Sequence, residues 1–202
     1  MMGEQVDAER LYRHIVFAHS LQHSGRNPPE PTPGAVERVM RALEETGLGD
    51  STLVSPQAWH SVDGVVPEIA VSDGPGGSVF GDKPVGTLWT SSFLAGGVSA
   101  WQWGEWGEWG EWAEFGGGRR LFAVEFGDVE VWTIDSPGDV GELGRRYGVG
   151  RRISWAAVAE DFDAVHLSVR GLLTAGHLGG VRGWDAESTA WLRPVGFRVG
   201  SA

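Results

Sequence analysis

The 202-residue chain contains no cysteine. That excludes a disulfide framework, a thiolate nucleophile and cysteine-ligated zinc together. No apolar run approaches the ~20 residues that a membrane helix needs. The first residues, Met1 to Asp7, are polar and lack the basic-then-apolar order of a signal peptide. A cytoplasmic protein is expected, or an effector cargo moved by another route. Lysine is almost missing, Lys83 being the single one. Sixteen basic against 27 acidic residues leave a formal net charge of −11, and such a surface repels phosphate backbones.

Several familiar motifs are absent as well. No GxxxxGK[ST] loop exists, since the one lysine follows Asp82. Gly97-Val98-Ser99-Ala100-Trp101 fails the G-x-S-x-G elbow at its last position, and His-Glu-x-x-His and a Rossmann fingerprint are missing. Asp161, Asp163 and His166 read more simply as a turn entering a strand than as metal ligands, so no metal is expected.

What remains is a chain long enough for one domain, 1–202, that buries roughly 70% of its unfolded surface. Residues 11–17 are dense in apolar side chains and fit either a strand or part of a helix over 5–22. Four prolines make 24–34 a loop. Thr32 and Pro33 then open a helix through Val36, Val39, Met40 and Leu43, closed by Gly47. Residues 52–54, 65–71 and 85–90 read as short strands. Segments 121–126 and 129–134 flank Gly127-Asp128, a hairpin signal. Ser136-Pro137 with Asp139 opens a helix ended by Gly148, and Ser154 caps a short one. Residues 164–169 alternate as a half-buried strand with His166 and Ser168 outward, and His177 falls in a loop. A strand pair over 188–193 and 196–199 ends the chain.

Residues 101–118 are low in complexity. Trp103, Trp106, Trp109 and Trp112 recur every three residues, with Glu105, Glu108, Glu111 and Glu114 in step. The interleaved glycines each cost a helix ~1 kcal/mol, so a surface loop of extended, polyproline-like rise is expected. A target-contacting aromatic arm is the alternative reading.

Three clusters put polar residues in apolar settings: Leu11-Tyr12-Arg13-His14, Leu88-Trp89-Thr90-Ser91-Ser92-Phe93, and Trp184-Asp185-Ala186-Glu187-Ser188-Thr189-Ala190-Trp191. In this order they resemble the Arg–Ser–Glu type of mono-ADP-ribosyltransferase. The resemblance touches most of residues 11–195 as sparse motifs. It implies an α+β fold of two small, mostly antiparallel sheets around an NAD⁺ cleft, with flanking helices. It further implies that a first strand carries Arg13 to the dinucleotide. Thr90, Ser91 and Ser92 would match the Ser-Thr-Ser element, with either Thr90 or Ser91 in the lead. Glu187 would be the catalytic carboxylate, and Asp185 the upstream member that handles the acceptor. His14 leaves open the subgroup led by histidine, although no Tyr-x-x-x-Tyr element accompanies it.

The chemistry is consistent with these residue types. Cleaving the nicotinamide–ribose bond develops positive charge on the ribose, as in glycoside cleavage. A positioned, ionised Glu187 stabilises that charge, and Trp184 and Trp191 would dry its surroundings. An arginine fork suits a diphosphate, and Trp89 or Phe93 suits stacking on nicotinamide. The acceptor stays open among protein side chain, nucleic-acid base, small molecule and water, as do oligomeric state and a toxin, regulatory or biosynthetic role. Two other readings are a non-catalytic acidic binding protein gripping a partner through the Trp/Glu repeat, and a carbohydrate-active protein.

Overall fold

Tyr12, Ile15 and His19 are buried at spacings of three and four, which decides the first segment: Ala8–His23 form a helix, α1. Asp7 caps it, its Oδ1 accepting the Glu9 and Arg10 N–H groups at 3.0 and 3.3 Å. The computed structural model describes residues 7–23, 33–73, 83–104, 118–150 and 152–202. Helix α2, Pro33–Thr46, begins at the expected proline, and Gly47 follows it at φ 74°.

The strands are β1 (Gln57–Ser61), β2 (Leu88–Ser92), β3 (Arg120–Glu125), β4 (Val131–Ile134), a two-stranded ribbon of β5 (Gly148–Val149) and β6 (Arg152–Ile153), then β7 (Ala164–Leu167), β8 (Ser188–Trp191) and β9 (Arg198–Ser201). Four further helices are α3 (Ala100–Gly104), α4 (Pro137–Tyr147), α5 (Trp155–Asp161) and α6 (Val169–Ala175). The class is α+β. Seven strands make one continuous mixed sheet in the order β4-β7-β8-β2-β1-β3-β9, where two small sheets were expected. Only β4 and β7 are parallel neighbours in it.

Several local expectations give way to long-range packing. The Gly127-Asp128 hairpin does not form: β3 pairs with β1 and β9, whereas β4 pairs with β7 at the far edge. The linking segment crosses the sheet instead. The Phe126 ring meets Trp191 of β8 at 4.7 Å. Asp163 then anchors the arrival, its carboxylate accepting the Glu130 N–H at 2.8 Å and its own N–H donating to the Glu130 carbonyl at 2.8 Å. The closing strand pair fails likewise, since β8 lies between β2 and β7 and β9 joins β3. Residues 52–54 and 65–71, expected as strands, are irregular, and β1, unrecognised, takes a central place.

Residues 101–104, expected in a loop, belong to α3, and Trp103 is buried against Tyr12. The rest of the Trp/Glu repeat lies outside the described residues, as does Thr32. Strand β7 is buried on both faces rather than half-buried, and Ser168, expected on its outer side, is the N-cap of α6, accepting the Gly171 N–H at 2.9 Å.

The two faces of the sheet differ. Helices cover one, where Val165, Leu167 and Ala190 join Ile134, Leu143 and Leu172. Irregular segments cover the other, where Trp59, Leu88, Val124, Ala164 and Trp191 meet Leu53, Ile69, Phe126 and Phe197. The strand alternation and the pairings Gln57↔Ser92, Thr90↔Thr189 and His166↔Thr189 align a polar row on this second face: Gln57, Ser92, Thr90, Thr189 and His166.

Candidate active site

Glu187 immediately precedes β8, and its parity with Thr189 turns its side chain toward the polar row. It is 2% exposed. A buried carboxylate must be satisfied by donors, and Ser92 supplies two across the β2–β8 boundary. The Ser92 N–H donates to Oε2 and the Ser92 hydroxyl to Oε1, each at 2.9 Å.

The Glu187 backbone is held from the helical face. Its N–H donates to the Tyr12 hydroxyl of α1 at 3.2 Å, and its carbonyl accepts from the Trp101 indole of α3 at 3.1 Å. Trp101 also donates to the Ser188 hydroxyl at 3.1 Å and stacks on His60 of β1, centroids 6.0 Å apart at 19°. Backbone and carboxylate are thus fixed by elements that are far apart in sequence.

Burial dominates the electrostatics. It raises the Glu187 carboxyl to about 7, with the two Ser92 bonds pulling the other way. Burial lowers His166 to about 4, and burial followed by the Arg119 charge lowers His60 to about 4. His166 Nδ1 lies 3.6 Å from Glu187 Oε1. That spacing is beyond a good hydrogen bond, and between pH 4 and 7 the pair's proton belongs to the carboxyl, so the contact is not an ion pair at neutral pH. Tyr12 is raised well above 10, by burial first and then by the Glu187 charge.

The sequence-predicted residues divide. Ser92 and Glu187 come together. Thr90 and Ser91 do not share Ser92's role. Thr90 is wholly buried and accepts the Trp191 indole N–H at 2.9 Å. Ser91 faces the opposite side of the sheet, and its buried hydroxyl has no partner among the described residues. Trp89 packs edge-on against Trp184, centroids 4.7 Å apart, and Phe93 bridges to Ser99. Asp185 is partly exposed and pairs with Lys83 at 3.1 Å.

Arg13 is on a helix and not on a strand. Its guanidinium meets Glu9 and donates to the Trp103 carbonyl at 3.2 Å, so α1 delivers Tyr12 to Glu187. His14 is exposed, its Nδ1 2.6 Å from the Arg10 carbonyl oxygen. His166, expected at a strand surface, is buried. Asp161 and Asp163 turn to Tyr147 and Arg193 respectively.

Sequence reasoning missed Gln57, Trp101, Thr189 and the inward His166. Gln57, His60 and Ser61 make β1 look polar, and a strand buried on both faces has no polar alternation to betray it. The one usable signal was the company of His166, flanked by Val165 and Leu167. No protein-family model, curated protein or solved structure matches the chain, so geometry and chemistry carry the functional argument.

Proposed function

We propose that this chain cleaves the nicotinamide–ribose bond of NAD⁺ and passes ADP-ribose to an acceptor or to water, with Glu187 stabilising the reacting ribose. One observation carries the reading: the serine-rich strand end and the late Glu-containing turn, 95 residues apart, meet in the two Ser92–Glu187 hydrogen bonds.

In the reaction the C1′–nitrogen bond breaks and nicotinamide leaves with the bonding pair. The charge left on the ribose is greatest before the acceptor bonds C1′ and sheds its proton. A carboxylate held by preorganised donors in a dry site opposes that charge without reorganising. Ser92 is the partly open member of the second cluster on the Glu187 face, whereas Trp89 packs on the opposite face and Thr90 is committed to the core. Since Glu187 is almost fully covered, the ribose reaches it only as the covering side chains shift. Asp185, paired with Lys83 at the surface, is the candidate for handling the acceptor. The reading of a binding protein built on the Trp repeat draws no support from Trp103, which serves the core.

Nicotinamide release from NAD⁺ by the purified chain tests the proposal, with Glu187→Gln beside it. Release should fall by roughly 100-fold or more in the variant, the scale of losing a transition-state electrostatic contact. A folded wild type that neither releases nicotinamide nor binds NAD⁺ by calorimetry would overturn it.

A further inference from the structure

Four strands contribute to the polar row, and one side chain joins its ends. Gln57 Nε2 donates to the Val54 carbonyl at 3.0 Å and approaches the Ser92 hydroxyl at 3.4 Å. Gln57 Oε1 receives the Thr189 hydroxyl at 3.3 Å and the Thr90 hydroxyl at 3.5 Å. The Val54 carbonyl fixes which way the amide points, because a carbonyl accepts only and would repel Oε1. Two donors and two lone pairs are thereby used.

The direction of every other bond follows from that orientation. Trp191 Nε1 can only donate, so Thr90 accepts from it at 2.9 Å and directs its own proton to Gln57. Thr189 likewise gives its proton to Gln57 Oε1, leaving its lone pair for His166 Nδ1, 3.0 Å away. His166 must therefore carry its proton on Nδ1. The 3.6 Å approach of Glu187 Oε1 to the same nitrogen agrees with it for the ionised carboxylate, against which a bare Nδ1 would set its lone pair. At the other end, Ser92 receives from Gln57 Nε2 and donates to Glu187 Oε1.

We propose that Gln57 is a positioning residue for Glu187: its amide orients one hydrogen-bond chain, His166–Thr189–Gln57–Ser92–Glu187, that terminates on the carboxylate as pure acceptor and holds His166 as its Nδ1–H tautomer. The catalytic meaning rests on the reading of Glu187 above; the wiring does not. A carboxylate is the natural end of such a chain. A protonated Glu187 Oε1 would face the Ser92 hydroxyl proton and the His166 Nδ1 proton, with no acceptor for its own. The chain cannot simply reverse while Val54 holds the amide. Gln57 therefore favours the ionised form against the burial that opposes it. Among the described residues, the titratable groups facing Glu187 are His166 from β7 and Tyr12 from α1. β1 and β2 present only neutral side chains there: Gln57, Thr90 and Ser92.

The test needs no NAD⁺. Nitrogen-15 NMR of wild-type histidines should show His166 in the neutral Nδ1–H tautomer, and carbon-13 shifts of labelled glutamate carboxyls should follow the Glu187 titration. Gln57→Met keeps the length and removes the amide. We expect its Glu187 midpoint to rise by about one pH unit, roughly tenfold in proton affinity, and His166 to lose its single tautomer. Thr189→Val cuts the chain at another link and should release the tautomer as well. An Nε2–H tautomer in the wild type, or an unmoved midpoint and tautomer in folded Gln57→Met, would overturn the proposal even if NAD⁺ is cleaved. If both shifts occur in a chain without NAD⁺ turnover, the wiring stands and only the reaction is withdrawn. Where turnover exists, its pH profile should move with the Glu187 midpoint, which a merely structural loss would not produce.

Discussion

At the scale of single residues, Glu187 contributes to stability with a definite sign. Its folded value lies above the ordinary 4.5, at about 7, so the folded chain holds a proton that the unfolded chain has released between these values. Stability from this group is therefore full below about 4.5 and lost as pH rises to about 7. Glu187→Gln removes that dependence. Urea unfolding at pH 5 and pH 8 should show the variant gaining about 2–3 kcal/mol on the wild type between the two; parallel behaviour would contradict the buried carboxyl. On the proposed reading, in which the ionised form acts, NAD⁺ turnover should rise through the same range. Thr90 offers a second residue-scale test. Thr90→Val keeps the shape but leaves the Trp191 indole N–H buried and unpaired, at a cost of about 1–3 kcal/mol in unfolding free energy.

At the scale of elements, local chemistry sets what stops and starts, and distant contacts set what pairs. The capping box of α4 is an instance of the first. Asp139 accepts the Ser136 N–H at 2.8 Å and the Asp135 N–H at 3.0 Å, both written into adjacent sequence. Helix α6 shows both effects. Ser168 accepts the Gly171 N–H and donates to Asp135 at 2.5 Å, tying the helix start to the end of β4. Ser168→Ala should cost about 1–2 kcal/mol in thermal or urea unfolding. Gly171 looks like a helix defect in sequence. A Cβ there would collide with the Ile134 carbonyl oxygen, so the glycine is what lets α6 lie against β4. Gly171→Ala, a favourable helix substitution in isolation, should lower the unfolding midpoint instead.

Across the whole molecule, three buried groups shape the pH dependence of stability. His60 and His166 are held at about 4, so below about 6.5 the unfolded chain takes up two protons that the folded chain refuses. Glu187 acts oppositely with one. Between about 6.5 and 4.5 the balance from these groups is two minus one, a single proton favouring the unfolded chain. Their joint contribution should be greatest near pH 6.5 and fall by up to about 1.4 kcal/mol per unit on acidification. A urea series from pH 7 to 4.5 checks this, and stability that rises steadily toward pH 4.5 would refute it.

What sequence alone determined here is local. The proline start of α2 and the Ser136 and Ser154 caps were legible because a few neighbouring residues decide each of them. Pairing was not legible. Gly127-Asp128 has the chemistry of a hairpin, but burying Phe126 on Trp191 and docking Glu130 on Asp163 carry β4 to the opposite edge. The site divides in the same way. Glu187 stood out in sequence as a candidate, whereas Ser92, the one of three adjacent hydroxyls that donates to it, and Gln57 behind Ser92 on an unrecognised strand follow from strand parity and register. Register is a property of the assembled sheet, because a shift of one residue turns every side chain to the other face.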